Sequence, residues 1–213
     1  MLRASRTVTA TVPANAVSGP ISVTTPNGIA SSQTNFAISP PPTIASFTPG
    51  TGKVGDTVSI TGANLTGATA ITFAGTPAAT FSVTGPTTMT AVVPAGAGAG
   101  ALAVTSPAGT GTSPTPFVVT HPRTVTLNIG RRRVSGRVIA TDAFTKCTAG
   151  VQVNVQRRIN RRWRNVGTVT TTPAGRYSIS SQRLPVRYRA RVGATTLSSG
   201  DICQATSTSA SGA

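Results

Sequence analysis

Apolar residues alternate with small or polar ones along most of the chain. Ile21-Ser-Val23-Thr and Leu102-Ala-Val104-Thr put every second side chain on one side, the period of a half-buried strand. Val58-Ser-Ile60-Thr, Ala70-Ile-Thr-Phe73 and Thr80-Phe-Ser-Val83 repeat that pattern. Further on, Val125-Thr-Leu127-Asn-Ile129, Val134-Ser-Gly136-Arg-Val138, Val151-Gln-Val153-Asn-Val155-Gln, Trp163 to Val169, Tyr177-Ser-Ile179 and Tyr188-Arg-Ala-Arg-Val192 do the same. In Val151–Gln156 one face is apolar and the other carries amides. Pro26-Asn27-Gly28 and Pro173-Ala174-Gly175 supply turns. Short strands broken by turn signals every 8–12 residues or so predict an all-β chain of sandwiches. No stretch combines a helical period with capping residues.

An internal repeat divides the chain. Shifted by 81 residues, segment 7–38 lies over 88–119 without a gap, and 15 of 32 positions are identical. They include Pro13/Pro94, Gly19/Gly100, Val23/Val104, Gly28/Gly109 and Phe36/Phe117. That period exceeds the roughly 20–50 residues of solenoid repeats and matches a small domain. Pro40-Pro41-Pro42 and His121-Pro122 read as short stiff linkers. The expected architecture is three modules in series: 1–39, incomplete; 42–119, complete; and 123–213. Three strands alone would leave an apolar face uncovered, so the expectation is that the chain belongs to a longer polypeptide.

Composition sharpens this picture. Apolar residues make up 38% and aromatics 4%, which favours several small cores over one large core. Charge is lopsided. Residues 1–122 hold Arg3, Arg6 and Lys53 against Asp56, whereas the remaining 16 of the 19 cations lie in 123–213 with Asp142 and Asp201. Cys147 and Cys203 both fall in the basic segment, where they form either one bridge or two buried thiols. The bridge is expected, because core-poor domains outside the cell use them, and its role is structural. No apolar run is long enough to span a membrane.

Catalytic chemistry finds little support. There is no Glu, and the three Asp stand far apart in sequence beside turn-like residues. No nucleophile motif accompanies the single histidine, His121, which reads as an exposed linker residue. Neither a metal cluster nor a cofactor motif is present, so no metal, cofactor or small-molecule substrate is expected.

Segment 42–119 resembles the IPT/TIG family of immunoglobulin-like domains. The resemblance rests on Pro42-Thr-Ile44, Phe47-Thr-Pro49, Val54-Gly55-Asp-Thr-Val58-Ser-Ile60-Thr-Gly62-Ala-Asn-Leu65, Ile71-Thr-Phe73 and the tail through Val93-Pro94, Gly100, Val104 and Phe117. Residues 1–39 match only the second half of that pattern. Segment 123–213 resembles carboxypeptidase regulatory-like or prealbumin-like sandwiches through Val134-Ser-Gly136-Arg-Val138, Gly150 to Val155, Thr171 to Ile179 and Tyr188. The resemblance implies tandem immunoglobulin-like sandwiches that serve as stalk or binding parts of secreted and surface proteins. IPT/TIG domains also occur in DNA-binding transcription factors, but both copies here are nearly neutral.

The stretch Arg157-Arg-Ile-Asn-Arg-Arg-Trp-Arg164 joins two expected strands, Val151–Gln156 and Val166–Val169. Two readings stay open. Arg157, Arg158, Arg161, Arg162 and Arg164 form a solvated hairpin tip whose stems cover Trp163. Alternatively they grip phosphate, sulfate or uronate groups together with Arg187, Arg189 and Arg191, which alternate along one strand and share a face. The leading expectation is a noncatalytic extracellular spacer or adhesion module of a bacterial surface or secreted protein. Its partner would be an anionic polymer or cell-surface glycan. Alternatives are a polyanion-binding domain for nucleic acid, cell-wall polymer or membrane headgroups, and an accessory region of a larger secreted enzyme.

Overall fold

The computed structural model describes residues 7–13, 16–181 and 186–211, whose regular structure is strand apart from two short 3-10 turns. Residues 1–6, which include Arg3 and Arg6, and positions 14–15 of the repeat lie outside the described residues. The first two strands are β1 (Gly19–Thr25) and β2 (Gly28–Phe36). The next nine are β3 (Thr43–Thr48), β4 (Thr51–Gly52), β5 (Thr57–Ala63), β6 (Ala70–Phe73), β7 (Thr76–Pro77), β8 (Phe81–Val83), β9 (Thr88–Val92), β10 (Gly100–Ser106) and β11 (Gly109–His121). The last ten are β12 (Arg123–Val125), β13 (Asn128–Ile129), β14 (Arg133–Ala140), β15 (Gln152–Ile159), β16 (Arg162–Thr170), β17 (Arg176–Ser180), β18 (Arg187–Val192), β19 (Thr195–Thr196), β20 (Ile202–Cys203) and β21 (Thr206–Ser211). Among the described residues, no helix is long and apolar enough to cross a membrane.

Strands β1 and β2 form an antiparallel hairpin whose register reproduces that of β10 and β11. Gly19 pairs with Phe36 as Gly100 pairs with Phe117, and a bulge falls at Pro20/Ser22 as at Ala101/Ala103. The repeat is therefore a repeat of backbone geometry. The surroundings of the two copies differ. Phe117, Leu102 and Val104 are fully buried, whereas Phe36, Ile21 and Val23 are 43%, 55% and 44% exposed.

A sandwich of two sheets explains that burial. Sheet β3-β5-β9-β8 packs on a sheet running β11-β10-β6-β7, with β4 on β11. Inward positions of the first supply Ile44, Val58, Ile60, Met89 and Ala91; the second supplies Ile71, Phe73, Leu102, Val104, Phe117 and Val119. Phe117 sits edge-on to Phe73 at 5.3 Å, the arrangement that ring quadrupoles favour. Each fully buried side chain of this size contributes about 1.5–3 kcal/mol.

A second sandwich follows. Strands β12, β13 and β17 pair with β14 in one sheet, and β16-β15-β18-β21 form the other. Val134, Val138, Val153, Val155, Tyr177, Tyr188, Ala190 and Val192 fill the space between them. The Tyr177 hydroxyl donates to the Thr126 carbonyl at 2.6 Å, and burial pushes the phenol above its ordinary range. Gly136 is required here because a Cβ would run into that carbonyl and hydroxyl.

The join between the sandwiches is buried, which corrects the expectation of an exposed linker. The inward series Phe117, Val119, His121 continues past Pro122 into Arg123 and Val125 without losing phase, and every member is buried. Strand β20 pairs in parallel with β11, Thr120 opposite Ile202 and His121 opposite Cys203. His121 is 1% exposed and stacks on Phe144 at 3.7 Å. Its Nδ1 lies 2.7 Å from Asp142 Oδ2, and Nε2 faces Asp201 Oδ1 at 3.5 Å, an ion-pair distance. Asp201 also accepts from the Ala99 amide at 2.7 Å and from the Ser199 hydroxyl at 2.7 Å, so it holds the first sandwich to the second. Two acids that stand 59 positions apart thus converge on one imidazole, contrary to the reading of the aspartates as scattered turn residues.

Arg123 completes the join. Its Nε donates to Gln204 O at 2.7 Å, and its two terminal nitrogens donate to Cys147 O and Cys203 O at 3.2 Å each and to Gly193 O. Burial holds this guanidinium below its ordinary pKa. Cys147 and Cys203 are disulfide-bonded, with Cα atoms 5.4 Å apart. The bridge, Phe144, Ala140 and Leu197 make a small separate apolar cluster.

Candidate polyanion-binding face

The arginine-rich stretch is mostly strand. β15 runs to Ile159 and β16 begins at Arg162, so the connection is only Asn160-Arg161. Both take positive φ, 49° and 64°, the pair of conformations a two-residue hairpin turn demands. The ladder therefore extends past the ends expected at Gln156 and Val166. Arg157 pairs with Arg164, Arg158 with Trp163, and Ile159 with Arg162.

Strand alternation then divides the candidate residues. On β18, Tyr188, Ala190 and Val192 enter the core while Arg187, Arg189 and Arg191 point outward. On β15, Gln152, Asn154, Gln156 and Arg158 are the outward set, and Arg158 brings its partner Trp163 onto the same face. Arg157 and Arg164 turn to the opposite side, and Arg161 and Arg162 occupy the tip. Arg131-Arg132-Arg133 lie at the connection from β13 to β14, in the other sheet.

The outward face is ordered. The Arg189 guanidinium lies 4.3 Å from the Trp163 ring centroid, a cation–π distance, and its Nε donates to Gln156 Oε1 at 2.6 Å. Desolvation first, and the charge of Arg191 second, hold Arg189 below its ordinary pKa. Arg187 donates to the Ser209 hydroxyl at 3.2 Å. Asn154 donates to Asn165 Oδ1 at 2.9 Å and Thr168 Oγ1 at 3.2 Å. Near the disulfide end the face deepens into two cavities, of about 620 and 460 Å³, which share Asn154 and Gly193. Gln152, Asn154 and Thr168 line the first, with Lys146 at its margin, and Arg191 and Ser207 line the second. The amides were visible in the sequence as the polar phase of β15, but Lys146 and Ser207 carried no local signal.

Among the described residues, no acid lies on this face. Asp142 and Asp201 are held at the junction, and Asp56 accepts from the Lys53 amide in the first sandwich. His121 is buried between two carboxylates, Nδ1 on Asp142 and Nε2 toward Asp201. Among the described residues, no group of three or more His, Cys, Asp or Glu could hold a metal ion.

Two-sheet antiparallel sandwiches joined in series define the immunoglobulin-like class. Within it, residues 42–128 match the model of the IPT/TIG domain family. Similar solved structures include a protein crystallised with a xylogluco-oligosaccharide (10% identity, 80% of this chain and 40% of that one, TM-score 0.45). Another is SGBP-B from a xyloglucan utilization locus in Bacteroides uniformis (14%, 80% and 68%, TM-score 0.36). A third is domains A168–A170 of titin (13%, 88% and 72%, TM-score 0.27). The chain spans 40% of the first of these and 25% of a similar Gamma-CGTase from alkalophilic Bacillus clarkii. No curated protein matches the chain.

Proposed function

We propose that this chain is a noncatalytic spacer and binding segment of a secreted or cell-surface bacterial protein, built from modules 1–39, 42–119 and 123–213. The observation that carries this reading is the disulfide-stapled junction. Cys147–Cys203 belongs in an oxidising compartment. Around it, Arg123, His121 and Asp201 join the two sandwiches without a free hinge. A stiff array suits a part that holds something away from a surface. Thiol trapping and mass spectrometry of the protein from its host test this. The expected result is bridged cysteines in envelope or medium fractions. Free thiols on a chain confined to cytosol would overturn it.

A further inference from the structure

We propose that the outward face of sheet β16-β15-β18-β21 binds an acidic polysaccharide, a uronate or sulfated polymer. The proposal deepens the binding role above and takes its choice of polymer from the extracellular reading.

Three cations, Arg187, Arg189 and Arg191, stand at alternate positions of β18, about 7 Å apart at strand spacing. Like charges this close repel, and no carboxylate among the described residues faces them. The counter-charge therefore comes from outside, and a regular row of forks suits a polymer with regularly spaced oxyanions. The Arg191 side chain is exposed and makes no hydrogen bond among the described residues, so its guanidinium donors are available.

The rest of the face selects among polyanions. A single-stranded nucleic acid is gripped by successive aromatic platforms. Here Trp163 is the chain's only tryptophan and no other aromatic side chain shares the outward positions of these strands, while Arg189 already covers one side of its ring. What surrounds the cations instead is amide and hydroxyl: Gln152, Asn154, Thr168 and Ser207 at the cavities, Asn165 and Ser209 between the strands. These groups match ring hydroxyls, and the half-buried Trp163 ring matches a sugar ring. The two cavities extend this surface beyond Arg191 to Lys146, which gives a polymer a continuous track.

The test titrates the full chain with polygalacturonate, heparin, neutral dextran and oligo-dT, in about 0.1 M salt so that distant charges are screened. Trp163 fluorescence is the readout. Polygalacturonate or heparin is expected to change that fluorescence and dextran to leave it unchanged. Arg187→Gln/Arg189→Gln/Arg191→Gln is expected to weaken binding about tenfold or more, and Arg131→Gln/Arg132→Gln/Arg133→Gln, which removes equal charge, by less than about twofold. Arg191→Gln alone, at an exposed side chain, keeps the fold and is expected to weaken binding about threefold. Equal losses in the two triple variants would mean binding by net charge and would overturn the proposal. So would tighter binding of oligo-dT than of both polysaccharides, or an absence of binding by both. Any of these leaves the test by thiol trapping standing on its own.

Discussion

Replacing Arg123 by methionine keeps an unbranched apolar stem but shortens the side chain and removes the donors of four backbone carbonyls. Two of these, Cys147 O and Cys203 O, are buried. A hydrogen bond from a charged group contributes about 1.5–3 kcal/mol, but four that share one guanidinium do not add. Each buried carbonyl left without a donor costs about 1–3 kcal/mol, so with two fully buried and two partly buried carbonyls we expect R123M to lose about 3–5 kcal/mol. For a sandwich of this size that lowers the melting temperature by about 12 °C or more. Trp163 lies in the affected sandwich and is the only tryptophan, so urea unfolding followed by its emission isolates the effect. Arg123→Lys should recover less than half of the loss, because an ammonium cannot span carbonyls on three segments. The carbonyls of both bridged cysteines accept from Arg123, so R123M and Cys147→Ser/Cys203→Ser should be non-additive. A methionine variant within about 1 kcal/mol of the parent would refute the view that this guanidinium organises the junction.

Reducing the disulfide, or the Cys147→Ser/Cys203→Ser variant, opens a loop with a sequence separation of 56 and should lower stability by about 4 kcal/mol, read by the same unfolding curve with and without reductant. His121→Ala leaves Asp142 and Asp201 buried without their shared partner, so a loss of about 3 kcal/mol or more is expected by calorimetry, and an unchanged melt would mean the carboxylates find water instead.

Much of this architecture can be read from alternation alone. The 81-residue repeat survives as matching hairpins because glycine, proline and the bulged positions fix a backbone as well as a core. Where apolar residues drop out, alternation loses its voice. Strand β21, Thr206–Ser211, is threonine, serine and alanine, so nothing marks it as a ladder until it is seen beside β18. The junction was hidden for another reason. Histidine, arginine and aspartate beside a proline suggest solvent, and only the unbroken phase from Phe117 to Val125 shows that His121 and Arg123 occupy core positions. The convergence of Asp142 and Asp201 on one ring is set by tertiary packing and has no local trace. The arginine face was half legible: alternation on β18 shows its direction, but the partnership of Arg189 with Trp163 depends on strand order.

The covalent bridge has a mechanical consequence. Strands β15 and β18, with their outward arginines, and β16, with Trp163, lie wholly between Cys147 and Cys203. Tension entering along β11 and leaving through β21 would pass from one sulfur to the other and bypass the intervening chain. A pull could peel β21 from its neighbour, yet the three arginine-bearing strands would stay slack.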